Sequence, residues 1–301
     1  MRARPYWVLA LSVLGISFAG PLVRLSGADA VTIAVWRLGF SLVLVAVPLW
    51  VTGQWRDWRH LTWPRFAVAS FAGVCLALHF WAWNASIHLT TIAASVTLVS
   101  MQPAVVAAIS AVALREAPTA RQLLGIAVAI VGAVIIASPD FRNGLAPAGN
   151  APLLGNLLAI SAAVTAAIYY SIGRSLRKSL GIWAYVAIVY STAFVTLWVI
   201  AVARGAPLVP QPPREIAIFA ALAIGPMLIG HTGMNWALKY LPAHVVNLTV
   251  LGEPVGATLL GVLIPAIGQI PTAATLLGGA VVLTGVIIAG SATGSDNTAR
   301  T

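Results

Sequence analysis

The sequence predicts an all-α membrane protein of ten transmembrane helices, built as two inverted five-helix repeats with both termini cytoplasmic. Three observations predict it. Of 301 residues, 60% are hydrophobic and only 8% charged, against about 25% charged in a soluble chain, so no aqueous surface can be built from this composition. The second half of the chain repeats the first. The Lys and Arg residues fall between long apolar runs, in a pattern that favours one orientation.

The repeat sets the framework. Pro118-Thr-Ala-Arg-Gln-Leu-Leu-Gly125 returns as Pro271-Thr-Ala-Ala-Thr-Leu-Leu-Gly278 at an offset of 153, which Gly132 and Gly285 keep. Around Pro103 the chain reads Leu-Val-Ser-Met-Gln-Pro-Ala, and around Pro254 it reads Thr-Val-Leu-Gly-Glu-Pro-Val, at an offset of 151. His79, Ala85 and Leu89 match His231, Ala237 and Leu241 at 152. The halves are residues 1–144 and 145–301, the second with a short tail.

A spanning helix needs about 20 mainly apolar residues. The candidates, in order, are Tyr6–Val23, Ala30–Val51, Phe66–Ile87, Thr91–Leu114, Ala120–Ser138, Pro152–Gly173, Trp183–Ala203, Ile216–Leu238, Ala243–Ile264 and Thr272–Gly290. The first follows Arg2 and Arg4 and has the form of a signal peptide, with Ala28-Asp-Ala30 as a cleavage site. Its place in the repeat argues that it is retained. No run alternates polar and apolar residues as a membrane barrel does. Pro139 to Asn150 reads as a polar connector between the halves.

With the amino terminus inside, inner segments hold twelve Lys and Arg residues and outer segments four: Arg24, Arg142, Arg204 and Arg214. Arg37 lies within a span. Five spans per half force the second half to enter the membrane upside down relative to the first.

Ten spans, homologous halves, the Glu253-Pro254 pair and the tandem Pro-Thr-Ala-x-x-Leu-Leu-Gly blocks resemble the drug/metabolite transporter superfamily, and within it the EamA family. The likeness covers about residues 5 to 290. It departs in the first half, where Gln102-Pro103 stands in place of Glu253-Pro254. The resemblance implies a multi-pass exporter of small metabolites in a bacterial inner membrane. Many relatives handle amino acids, and YddG-type members export aromatic ones. In inverted-repeat transporters the substrate site lies between the halves near the bilayer midplane.

Glu253 is the sharpest candidate, because a bare carboxylate at mid-bilayer costs about 2.5 kcal/mol or more. It reads as a proton-coupling or substrate-ammonium site, or as a structural acid beside the backbone freed by Pro254. Gly252 and Gly256 permit close helix approach and support the structural reading. His79 and Trp83 share a helix face and map onto His231 and Asn235, so two related helices turn polar or aromatic groups towards one axis. Ser17, Met101, Gln102 and Tyr169 complete the expected binding set, with Trp36 and Tyr170 as further aromatic walls. Arg37 is placed to snorkel outward, and the resemblance implies a structural or gating role for it. Trp55, Trp58 and Trp63 read as interfacial anchors.

The charge of +10 is explained by topology rather than by nucleic acid. Cys75 has no partner for a disulfide or a metal pair, and no metal or cofactor is expected. The chain lacks the Gly-x-x-x-x-Gly-Lys-Ser/Thr phosphate cradle, the His-Glu-x-x-His helix and the Gly-x-Ser-x-Gly turn. Asn84-Ala-Ser86 and Asn247-Leu-Thr249 fall within spans and are not glycosylation sites. The expected function is alternating-access export of amino acids, aromatic or apolar ones favoured, with no enzymatic activity. Walls of His, Trp, Met and Asn suit a zwitterion better than a sugar phosphate, which calls for converging Arg or Lys. The alternatives are an intramembrane enzyme using Glu253 with His79 and His231, or a broad-specificity drug effluxer of the same fold. The expected partners are a small-molecule substrate and the lipid bilayer. The oligomeric state is left open, a monomer included.

Overall fold

The computed structural model describes residues 4–89, 92–142, 152–266 and 273–295, and among these there is helix and no strand. We label α1 (Arg4–Leu25), α2 (Ala30–Val51), α3 (Trp63–Leu89), α4 (Ile92–Val99) and α5 (Gln102–Leu114). There follow α6 (Ala120–Arg142), α7 (Pro152–Leu176), α8 (Ile182–Ala203), α9 (Pro213–Ala237), α10 (Ala243–Leu263) and α11 (Ala273–Ser295). Seven of them are long and apolar enough to cross a membrane: α1, α2, α3, α7, α8, α9 and α10. Three predicted spans fall short of that description among the described residues, two of them represented by the apolar runs Ala120–Gly132 and Leu276–Ile288.

The third is broken by its own sequence. The predicted span from Thr91 to Leu114 is divided at Ser100-Met101 into α4 and α5. Pro103 has no N–H for the Val99 carbonyl, and the chain tightens around it, with Met101 bonding to Leu98 and Ala104 to Met101. Helix α10 carries the matching device. Pro254 has no N–H for Val250, and Thr249–Gly252 winds as a 3₁₀ turn before the α-helix resumes at Glu253. Gln102 and Glu253 thus each open a half-helix inside the fold.

Other boundaries follow from local chemistry. The Asp29 side chain accepts from the Val31 amide at 2.9 Å and starts α2. Thr119 and Gln122 form a reciprocal capping box at the start of α6, the amide of each bonded to the side chain of the other. That box is part of what the repeated Pro-Thr-Ala block encodes in the first half. Helix α6 runs past Pro139, where the connector was expected to begin. Ser138 Oγ donates to the Ile135 carbonyl at 2.8 Å, replacing the bond that Pro139 cannot make. The remainder of the connector lies outside the described residues. A 3₁₀ segment, Gln54–His60, folds under α8: the Gly181 amide donates to Asp57 and the Trp183 amide to Gln54, both at 2.9 Å.

Packing pairs the two halves of the chain. Helix α3 lies on α7 and α8, α2 on α8 and α9, α1 on α9 and α10, and α6 on α11. Glycine makes two of these crossings possible. A Cβ at Gly15 would come within 3.0 Å of the α9 backbone. At the α6–α11 crossing, a Cβ at Gly132 would meet the Val282 amide at 2.6 Å and the Gly278 carbonyl at 2.7 Å. One at Gly285 would meet the Ala129 amide and the Gly125 carbonyl, both at 2.6 Å. These contacts are reciprocal at the offset of 153 residues.

Candidate functional site

Where α1, α2, α3, α4, α5, α7, α9 and α10 converge, they line a partly open cavity of about 30 Å³. Its walls include Arg37, His79, Phe80, Trp83, Gln102, Tyr170, His231 and Glu253. That volume holds about two waters, so a larger solute enters only if side chains move. Two roomier hollows, of 570 Å³ and 340 Å³, are lined by apolar, aromatic and hydroxyl side chains and glycine, with no ionisable group among them. Size favours those grooves, but of the three only the small cavity has ionisable groups to orient a charged ligand.

The fold delivers each group for a local reason. Helix α9 widens into a π-helix over Ala223–Thr232, around Pro226, which ends next to His231. Such wide turns recur at functional sites. His79 Nδ1 donates to the Ala162 carbonyl at 2.9 Å, which leaves Nε2 as an acceptor. The two histidine rings lie 6.1 Å apart, with Phe80 edge-on to His231 at 5.2 Å. Tyr170 stacks on His231, and its hydroxyl is 3.1 Å from His231 Nδ1 and 3.3 Å from the Met234 sulfur.

Two ionisable groups complete the walls. Arg37 is 1% exposed, with its guanidinium 4.1 Å over the Phe80 ring. Among the described residues its Nε and Nη2 have no hydrogen-bond partner, and neither has the indole nitrogen of Trp83. Glu253 is 8% exposed at the first turn of its half-helix. Among the described residues Glu253 accepts no hydrogen bond, and ion pairs are confined to the Glu116 cluster.

Polar contacts tie the helix ends together on both sides of the cavity. On the face that carries the basic loops, Glu116 takes a bidentate pair from Arg174, Nε at 3.0 Å and Nη2 at 2.8 Å, and Lys178 adds a contact at 3.3 Å. Arg174 Nη1 reaches on to the Leu238 carbonyl at 2.7 Å, so one guanidinium joins the α5–α6 turn to the end of α9. Burial would raise the Glu116 carboxyl, but hydrogen bonding and charge from Arg174, then Lys178, outweigh it and hold it below its ordinary value. On the opposite face Glu215 accepts from Ser26 and from the Gly27 amide, and Arg214 donates to the Leu25 carbonyl at 2.9 Å.

The family model for EamA-like transporters matches residues 4–138 and 153–291. The chain belongs to this family. A transporter of Archaeoglobus fulgidus described as uncharacterized is 27% identical over 293 residues, covering 93% of this chain and 96% of its own length. A crystal structure of a protein superposes with a TM-score of 0.76 at 17% identity, covering 96% of this chain and 98% of that one, a likeness of fold.

For an EamA chain, the sequence singled out residues that the fold then distributes. His79, Trp83, Gln102, His231 and Glu253 meet at the cavity. Asn235 and Tyr169 stand behind it. The Asn235 amide nitrogen donates to the Tyr169 hydroxyl and, at 2.7 Å, to the His231 carbonyl, supporting the wide turn rather than lining the cavity. Ser17 is buried on α1 where a Cβ on Gly256 would strike its hydroxyl, so it sits at a helix crossing. Met101 is 40% exposed and is not among the residues lining the cavity. Trp36 stacks on Phe219 and donates to the Leu208 carbonyl at 2.9 Å, also outside the cavity. Arg37 faces inward against Phe80 and does not snorkel. Ser41, four residues on, is fully buried and shares that face. Asn84 and Asn247 are both fully buried and bonded to backbone carbonyls.

Proposed function

We propose that this EamA-family transporter exports small metabolites, namely amino acids with aromatic and apolar ones preferred, from the cytoplasm across a bacterial inner membrane. It does so by alternating access. In this reading α4 and α5 form one broken span, the chain crosses ten times as two inverted five-helix halves, and both termini are cytoplasmic. The observation that carries the reading is the cavity between the helices, to which both halves contribute symmetry-related polar side chains, His79 with His231 and Gln102 with Glu253. Broken helices opening at such a point are the usual substrate-holding device of inverted-repeat transporters. The reciprocal glycine contacts of α6 and α11 support the inversion. The ties on both faces fit an occluded state between two open ones.

The test is counterflow into proteoliposomes holding the purified chain. Labelled L-phenylalanine is expected to accumulate against unlabelled L-phenylalanine inside. Chemical turnover without accumulation would point instead to an enzyme. Flux of cationic dyes with no amino-acid flux would point to a drug effluxer.

A further inference from the structure

Buried polar groups in folded proteins are hydrogen-bonded, and each exception calls for a cause. Three orphaned donors belong to residues that line one cavity: Arg37 Nε, Arg37 Nη2 and Trp83 Nε1. A carboxyl group without a hydrogen bond among the described residues, that of Glu253, lines it too. About two waters cannot replace the partners that a guanidinium and a carboxylate lose on burial. The set is therefore short of an acceptor for Arg37 and Trp83 and of a donor for Glu253.

From this we infer that Arg37 and Trp83 hold the carboxylate, and Glu253 the ammonium, of an α-amino acid. The inference rests on the amino-acid reading above and adds which residues bind which end. A guanidinium takes a carboxylate in a two-pronged bond of fixed geometry, and the indole N–H supplies a third donor. Glu253, at the start of the α10 half-helix, accepts from the ammonium. A zwitterion relieves both buried charges together. A ligand with one charge relieves one and leaves the other unpaired, and sites built on hydrogen bonds reject ligands that lack the matching group. Phe80, Tyr170, His79 and His231 then remain as walls for the side chain. Selection thus acts on the charge pair, and both an amine and an acid of the same size are refused.

The experiment compares L-phenylalanine, phenethylamine and 3-phenylpropanoate as competitors of L-phenylalanine counterflow, in wild type, Arg37→Gln and Glu253→Gln. Wild type should prefer L-phenylalanine at least tenfold over either analogue. Arg37→Gln should collapse the preference over phenethylamine and keep that over 3-phenylpropanoate. Glu253→Gln should do the reverse. If Arg37→Gln fails to fold, Trp83→Phe, which removes the indole N–H, should weaken L-phenylalanine and 3-phenylpropanoate severalfold and leave phenethylamine unchanged. Wild-type amino-acid flux with selectivity untouched by these variants would overturn the clamp and leave the proposed function standing. No amino-acid flux in wild type would overturn both.

Discussion

Gln102 and Glu253 show what a single position in this chain can and cannot reveal. Each precedes a proline that interrupts a helix, and the break turns each side chain into the cavity. The backbone freed by Pro254 was legible, but Thr91–Leu114 reads as one continuous span, although Pro103 removes the same bond there. Nor was the direction of the neighbouring side chains legible. Met101 sits one residue before Gln102, and at the break that step separates an exposed residue from a buried one. Met101→Ala should therefore leave counterflow within about twofold of wild type. His231→Ala should lower it more than tenfold, since it removes the group that Tyr170 and Phe80 pack against. Its melting temperature should fall by only a few degrees, as for a loss of roughly 1 kcal/mol. Equal transport by the two variants would count against the cavity as the site.

At the scale of elements, the contact most open to experiment is the Glu116–Arg174–Lys178 cluster. Its carboxyl titrates below the ordinary value of 4.5. A depressed acid stabilises the folded state above its ordinary value and loses that contribution as pH falls through the lowered one. Wild-type melting temperature should drop as pH falls below 4.5, and Glu116→Gln should show a shallower drop over the same interval. Parallel curves would mean that the cluster adds nothing. The capping box gives a second measurement: Thr119→Ala should cost about 1 kcal/mol, the usual worth of such a cap. The repeated Pro-Thr-Ala block was visible in the sequence as a repeat. The box it builds needs the Gln122 side chain, which the second copy replaces with Thr275. The cluster was beyond reach, because Glu116 and Arg174 are 58 residues apart and no spacing rule connects them.

For the molecule as a whole, the hydropathy pattern made the seven long apolar helices legible, and the repeat is visible in the sequence itself. Which helices touch depends on tertiary packing that no periodicity encodes. Thr52→Cys and Arg204→Cys sit in exposed turns, and the proposed topology puts them on opposite sides of the membrane. An impermeant thiol reagent should label one from the outside in intact cells and the other after permeabilisation. Cys75 is buried and should not contribute. Labelling of both from one side would overturn the ten-crossing arrangement.

The crossing of α6 on α11 has a consequence for how this chain tolerates change. Gly132 and Gly285 each fit against the backbone of the other's helix, at equivalent positions. A methyl group at either one forces the same two helices apart, at a cost of about 1–3 kcal/mol. Once they have moved, the second methyl meets space that the first has opened. The Gly132→Ala, Gly285→Ala double variant should thus lose less stability than the sum of the single losses. The two glycines then behave as a single constraint with two addresses, and a lineage that had lost one would feel little pressure to keep the other.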